Sequence, residues 1–118
     1  MRDILIVDDD PMQLRIRQAI LCSAGLAVHT ATDVEGALEL LRTKADDIGI
    51  VVTDHTLIGG TGADLVRELR RTSPLLPVIV LSGLPDVESE YEGLNVTSRY
   101  KPYPPDQLIR EIQNAVKS

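Results

Sequence analysis

The sequence predicts an α/β fold: a doubly wound, five-stranded parallel sheet in the order 2-1-3-4-5, with helices on both faces. Three observations predict it. Short β-branched runs alternate five times with longer segments of helical periodicity. Right-handed crossovers between parallel strands leave few orders open, of which 2-1-3-4-5 is the usual one at this size. The length, 118 residues, is that of one domain, so residues 1–118 are expected to form a single unit.

The elements follow in order. Ile4-Leu5-Ile6-Val7 is continuous and apolar, as suits a first strand buried on both faces. Asp10 can cap the first helix with Pro11 at its first position, Met12, Ile16, Ala19 and Ile20 as its inner stripe, and Gly25 near its end. Leu26 to Thr30 reads as a second strand. Thr32 with Glu35 three residues on is a capping-box signal for a helix that buries Val34, Ala37, Leu38 and Leu41. Ile48 to Thr53 is the third strand. The glycines at 59, 60 and 62 make a loop, and Leu65, Val66 and Leu69 mark the helix after it. Val78 to Leu81 is a fourth strand ending at Ser82-Gly83. Leu84 to Gly93 is the least regular stretch, read as a short acidic helix poor in apolar anchors. Asn95 to Tyr100 is polar enough for a sheet edge. Pro104 and Pro105 open a last helix that buries Leu108, Ile109, Ile112, Ala115 and Val116.

Composition excludes several functions. Twelve basic against eighteen acidic residues give a net charge of −6, which disfavours direct nucleic-acid binding or adhesion to anionic lipid. One cysteine, Cys22, leaves no internal disulfide and no cysteine-based zinc site; it reads as a small packed residue of the first helix. No apolar run approaches the roughly 20 residues of a membrane helix. Asp8, Asp9 and Asp10 interrupt the first apolar run too early for a signal-peptide core, so a cytoplasmic location is expected.

In a parallel sheet all strand C-termini share one edge, and ligands bind there. The polar residues at those ends are Asp8 and Asp9, Asp54, Ser82 and Lys101. Converging carboxylates repel, and a hard divalent cation with oxygen ligands would hold them together. Three carboxylates, one such ion and Lys101 balance to zero charge. Each residue alone reads as a cap or turn; all five at strand ends do not.

The ordered set Ile4-Leu5-Ile6-Val7-Asp8-Asp9-Asp10-Pro11, Val51-Val52-Thr53-Asp54 with Gly62 eight residues on, Val80-Leu81-Ser82-Gly83 and Lys101-Pro102 resembles the receiver domains of two-component response regulators and hybrid sensor histidine kinases, over essentially the whole chain. The resemblance implies a flavodoxin-like fold in which Asp54 is the nucleophile that takes a phosphoryl group from a phosphohistidine. It implies Mg²⁺, with Mn²⁺ as a substitute, on Asp9 directly, on Asp8 mostly through water, on Asp54 and on the backbone carbonyl of Thr56. Ser82 would hydrogen-bond the phosphoryl oxygens and Lys101 would pair with them, with Lys101-Pro102 often cis. The site would catalyse its own phosphorylation and dephosphorylation, without being a conventional enzyme. The implied partners are a sensor histidine kinase or a histidine phosphotransfer protein, a downstream protein or an attached output or kinase domain, and a second copy through the face of helix four, strand five and helix five.

Departures from the pattern concern output. Ile58 replaces a usual proline, and the chain between Ser82 and Lys101 is short. Ser98 stands where the family often has an aromatic switch residue, and Tyr100, the nearest aromatic, is read as having the wrong strand parity. The segment from Gly83 to Arg99 is accordingly expected to be loose and to be ordered by phosphorylation through Ser82 and Lys101.

Other residues have simpler readings. Strand alternation points His55 away from Asp54, and His29 reads as an edge histidine. Gly59-Gly60-Thr61-Gly62 lacks the lysine of a P-loop. Glu88, Glu90 and Glu92 read as a solvated face. Two other functions compete: a receiver-like protein-binding module that works without phosphorylation, and a flavodoxin-like electron carrier. The five strand-end residues weigh against the first, and the scarcity of aromatics, three Tyr with no Trp or Phe, against the second.

Overall fold

Alternation within the first strand sets the two sides of the molecule. Leu5 and Val7 enter one core while Ile4 and Ile6 enter the other, as successive side chains of a strand must. The computed structural model describes residues 2–117. Its elements are β1 (Asp3–Val7), α1 (Pro11–Ser23), β2 (Val28–Ala31), α2 (Val34–Thr43), β3 (Ile48–Asp54), β4 (Thr56–Leu57), β5 (Gly60–Thr61), α3 (Gly62–Thr72), β6 (Val78–Ser82), a 3₁₀ turn (Glu88–Tyr91), β7 (Thr97–Tyr100) and α4 (Pro105–Lys117). The main sheet runs β2-β1-β3-β6-β7, all parallel, which is the expected 2-1-3-4-5 order once the small β4–β5 hairpin is set aside.

Helices α2 and α3 cover one face over Leu5, Val51 and Val80, and α1 and α4 cover the other over Ile6, Val52 and Ile79. The inner stripes expected for α2, α3 and α4 face the cores: Val34 and Ala37, Leu65, Val66 and Leu69, and Leu108, Ile112 and Val116 are buried, while Leu38, Leu41, Ile109 and Ala115 are half-buried against them. No helix among the described residues is long and apolar enough to cross a membrane.

Four expectations are corrected. The buried stripe of α1 is Leu14 and Leu21, while Met12 is 69% and Ile16 49% exposed; the helix is rotated from the expected phase, and Cys22 is exposed with it. Asp33, not Thr32, caps α2: its carboxylate accepts from the Gly36 amide at 2.6 Å, and its charge suits the free N–H groups of the first turn. The glycine loop after β3 is a hairpin, in which Thr56 pairs Thr61. Between β6 and β7 there is no α-helix among the described residues, only the 3₁₀ turn, so the expected output face contains β7 and α4 without a fourth helix before them. That stretch is better anchored than its sequence suggests, because Val87 and Tyr91 are both buried.

Candidate functional site

Register brings the strand-end residues together. Val7 lies opposite Thr53 across β1 and β3, so Asp8 follows beside Asp54, the last residue of β3. Asp54 lies opposite Leu81, so Ser82 comes next on the adjoining strand. Ser82 lies opposite Tyr100, and the Lys101 amide donates to the Ser82 carbonyl at 2.9 Å. One carboxylate oxygen each from Asp8, Asp9 and Asp54 lie within 4.8 Å of one another, with Asp8 and Asp54 buried and Asp9 exposed. Lys101 Nζ reaches to 2.7 Å from Asp54 Oδ1, and the Lys101-Pro102 bond is cis. A cavity of about 90 Å³, some three water volumes, opens over Asp54 between Asp9, Thr56, Ser82 and Lys101. Ser82 Oγ accepts from the Leu84 amide at 3.0 Å, which ties the start of the next segment to the crevice.

Burial, then the neighbouring Asp8 carboxylate, pushes the Asp54 carboxyl up to about 7, with Lys101 opposing the rise. Burial also pushes Asp8 up, but the bond with Asp54, the Asp10 amide and the charges of Arg17 and Lys101 outweigh it and hold Asp8 below the usual range. The pair therefore holds one proton more readily than two isolated carboxylates would. Lys101 brings its charge to 2.7 Å from Asp54 Oδ1 as an ion pair, and this buried oxygen has no hydrogen bond of ordinary geometry among the described residues. A buried, undonated carboxylate oxygen among two further carboxylates is a donor set for a hard, oxygen-seeking divalent cation, and the residues fit one.

The sequence misses one member of the site. Arg17 Nη1 lies 3.1 Å from Asp8 Oδ2 and 3.8 Å from Asp54 Oδ1. The signal was available: a basic residue sits between Leu14 and Leu21, on the inner face of α1, where helical spacing calls for an apolar side chain. Four other placements agree with or amend the readings. Asp10 is a helix cap, accepting from the Met12 amide at 2.9 Å. His55 is buried and directed away from Asp54: its Nδ1 is 2.7 Å from Tyr91 Oη and its Nε2 3.3 Å from Glu90. His29 pairs with Asp3 at 2.9 Å. Tyr100 does not have the wrong parity, since residues two apart on a strand share a face and Ser98 and Tyr100 pair Val80 and Ser82 in turn; Tyr100 is exposed and donates to Glu88. Gly62 is required sterically, because a Cβ there would come 2.6 Å from Tyr91 Oη and 2.7 Å from the Asp54 carbonyl.

Comparison with known proteins agrees with this fold. The family model described as the response regulator receiver domain matches residues 4–113. The C4-dicarboxylate transport transcriptional regulatory protein DctD of Pseudomonas aeruginosa is 32% identical over 117 residues, 97% of this chain and 25% of that protein. The uncharacterized transcriptional regulatory protein YbdJ of Bacillus subtilis is 32% identical over 116 residues, 97% of this chain and 50% of that protein. The chain thus spans a quarter to a half of the length of these relatives. Among solved structures, a response regulator receiver domain protein from Clostridium thermocellum superposes with a TM-score of 0.89 at 27% identity, covering 99% of this chain and 95% of that one. The receiver domain of NtrX from Brucella abortus superposes with a TM-score of 0.84 at 30% identity, covering 98% and 99%.

Proposed function

The chain belongs to the response regulator receiver domain family, and from that premise we propose that it is the phosphoacceptor of a two-component phosphorelay, with residues 1–118 as one receiver domain. The observation that carries the reading is the undonated Asp54 Oδ1, buried beside Asp8 and Asp9 with Lys101 at 2.7 Å.

Asp54 is the nucleophile: its carboxylate oxygen forms a bond to phosphorus while the P–N bond of a phosphohistidine breaks. The electron pair of that bond goes to the ring nitrogen, which takes a proton from solvent. Lys101 favours the anionic Asp54 that this attack needs and then neutralises the transferred oxygens. Ser82 Oγ accepts from the Leu84 amide and keeps its O–H to donate to a phosphoryl oxygen, a link that would carry the event into the segment after β6. Asp8, Asp9, Asp54 and the Thr56 carbonyl would hold Mg²⁺, or Mn²⁺ in its place, supplying charge neutralisation for the incoming group. Little else is required, since phosphoryl transfer depends mainly on positioning and electrostatics.

The donor partner is a sensor histidine kinase or histidine phosphotransfer protein, and the output partner is a downstream protein or an attached domain. The relatives of known name are transcriptional regulators of greater length, which supports an output of that modular kind. A cytoplasmic location follows from the kinase partner.

Intact-mass measurement after incubation with a small phosphodonor and Mg²⁺ tests the reading. One base-labile phosphoryl group is expected, absent from Asp54→Asn and absent when a chelator is added. Equal labelling of Asp54→Asn overturns the assignment, and failure of the parent to label favours a phosphorylation-independent binding module.

A further inference from the structure

Arg17 has no part in the scheme above, yet its guanidinium lies against two of the site's carboxylates. Its side chain is 17% exposed and enters from α1, between Leu14 and Leu21, to donate to Asp8 Oδ2 at 3.1 Å. The other Asp8 oxygen, Oδ1, accepts from the Asp10 amide at 2.9 Å. Both oxygens of Asp8 are therefore engaged, whereas Asp54 Oδ1, 3.8 Å from the same guanidinium, has no donor. Arg17 thus lies against the oxygens that a divalent cation would draw on.

We propose that Arg17 is a resident counter-cation that competes with a divalent metal for Asp8, and so ties tight metal retention to the presence of a phosphoryl group on Asp54. The inference rests on the phosphoacceptor reading and adds a positioning residue to it. Charge counting gives the reason. Three carboxylates with Lys101 and a divalent ion are already neutral, so Arg17 leaves the metal-loaded, unphosphorylated site one unit positive. Phosphorylation removes the single charge of Asp54 and brings about two from the phosphoryl group. With Arg17 the loaded, phosphorylated site is then near neutral; without Arg17 it would be about one unit negative. Arg17 therefore opposes the metal when it binds alone, and the added phosphoryl charge offsets that opposition once it is present. The guanidinium is always charged and forms a planar fork, so this opposition persists at all working pH values. An ordinary ion pair fastening α1 to β1 predicts otherwise: its loss would leave metal affinity unchanged or lower it by loosening Asp8.

Isothermal titration of Mg²⁺ into metal-free protein separates the two roles. Arg17→Leu and Arg17→Gln are compared with the parent and with the charge-retaining Arg17→Lys, each with and without beryllium fluoride as a phosphoryl stand-in. Arg17→Leu suits the apolar groove beside Ile20 and Leu108, and Arg17→Gln keeps a polar side chain should leucine disturb the fold. The neutral variants are expected to bind Mg²⁺ alone about tenfold more tightly, a change of ~1.4 kcal/mol, with a lower metal-free melting temperature. Arg17→Lys is expected to stay near the parent, and beryllium fluoride to raise Mg²⁺ affinity less in the neutral variants than in the parent. Unchanged or weaker Mg²⁺ binding in both neutral variants overturns the inference while the phosphoacceptor reading stands. A parent that binds no Mg²⁺ even with beryllium fluoride overturns both.

Discussion

The carboxylate crevice and the segment between β6 and β7 touch, but they are held in opposite ways. In the crevice, Asp8 and Asp54 are buried at the ends of central strands whose positions are fixed by sheet register, and their charges repel. In the neighbouring segment, Glu88, Glu90 and Glu92 are exposed, and fixation comes from two buried side chains, Val87 and Tyr91, with Arg70 donating to the Leu94 and Asn95 carbonyls at 2.7 and 2.9 Å. Strong geometry with unfavourable electrostatics faces favourable electrostatics with sparse geometry. The lesson is where a change of charge in the crevice can be felt: the sheet will not yield, and the segment has few contacts to lose. Tyr91 joins the two, since its hydroxyl meets His55, the residue after Asp54, and packs over Gly62.

Breaking that join should have the largest effect. Tyr91→Ala removes a buried aromatic from the core formed with Leu65 and Val80 and is expected to cost about 3–4 kcal/mol in urea unfolding. Tyr91→Phe keeps the packing and leaves His55 Nδ1 without its partner, a cost of about 1 kcal/mol. Similar values for the two variants would mean that the segment hangs on the hydrogen bond rather than on the ring. Arg70→Ala is expected next, at roughly 2 kcal/mol, since four carbonyls lose a charged donor. Amide exchange should quicken over residues 94–96 in that variant and stay slow in β3.

The crevice should respond with the opposite sign. The Asp54 carboxyl, raised from 3.8 to about 7 by burial and then by Asp8, gives the metal-free protein a stability contribution complete below about pH 4 and lost as pH rises to about 7. Asp8, held low, works the other way and loses its contribution only in stronger acid. Asp54→Asn should flatten the decline between pH 4.5 and 8 and stabilise the metal-free protein at pH 8 by roughly 1–2 kcal/mol, well short of the full shift because the crevice is open to water. Thermal melts in chelator across that range measure it. A destabilised Asp54→Asn at pH 8 would show that the carboxylates are held by their cations more firmly than they repel.

Most of the fold and most of the crevice could be read from the sequence, for one physical reason. Strand ends in a parallel sheet share an edge, so residues far apart in the chain are placed by periodicity alone, and Asp8, Asp9, Asp54, Ser82 and Lys101 fall where alternation puts them. Helix phase was harder. In α1 two apolar faces compete, Leu14 with Leu21 and Met12 with Ile16 and Ile20, and Ile16 and Ile20 of the second line an outer groove with Pro102 and Leu108. Periodicity cannot tell a groove from a core, and Arg17 interrupts the true inner face, which hides both the face and the arginine. The segment after β6 misled for another reason: two anchors four residues apart, Val87 and Tyr91, are too few to show against the acidic residues around them.

The smallest effect is expected at the outer margin of that segment. Tyr100 donates to Glu88 across the gap between β7 and the 3₁₀ turn, and it shares its strand face with Ser98, the position where the family often carries an aromatic. Both partners are exposed, so water competes for each group and ordering two side chains offsets what the bond contributes. Tyr100→Phe is therefore expected to leave the melting temperature unchanged within error, and to leave amide exchange over residues 84–91 as slow as in the parent. The same variant measured with beryllium fluoride and Mg²⁺ sharpens the point. If the segment is governed from Tyr91 and the crevice, added protection of residues 84–91 should be equal in parent and variant. Loss of that protection in Tyr100→Phe would move control of the segment to the β7 edge, and would make Tyr100, two residues from the usual position, the side chain through which output is coupled.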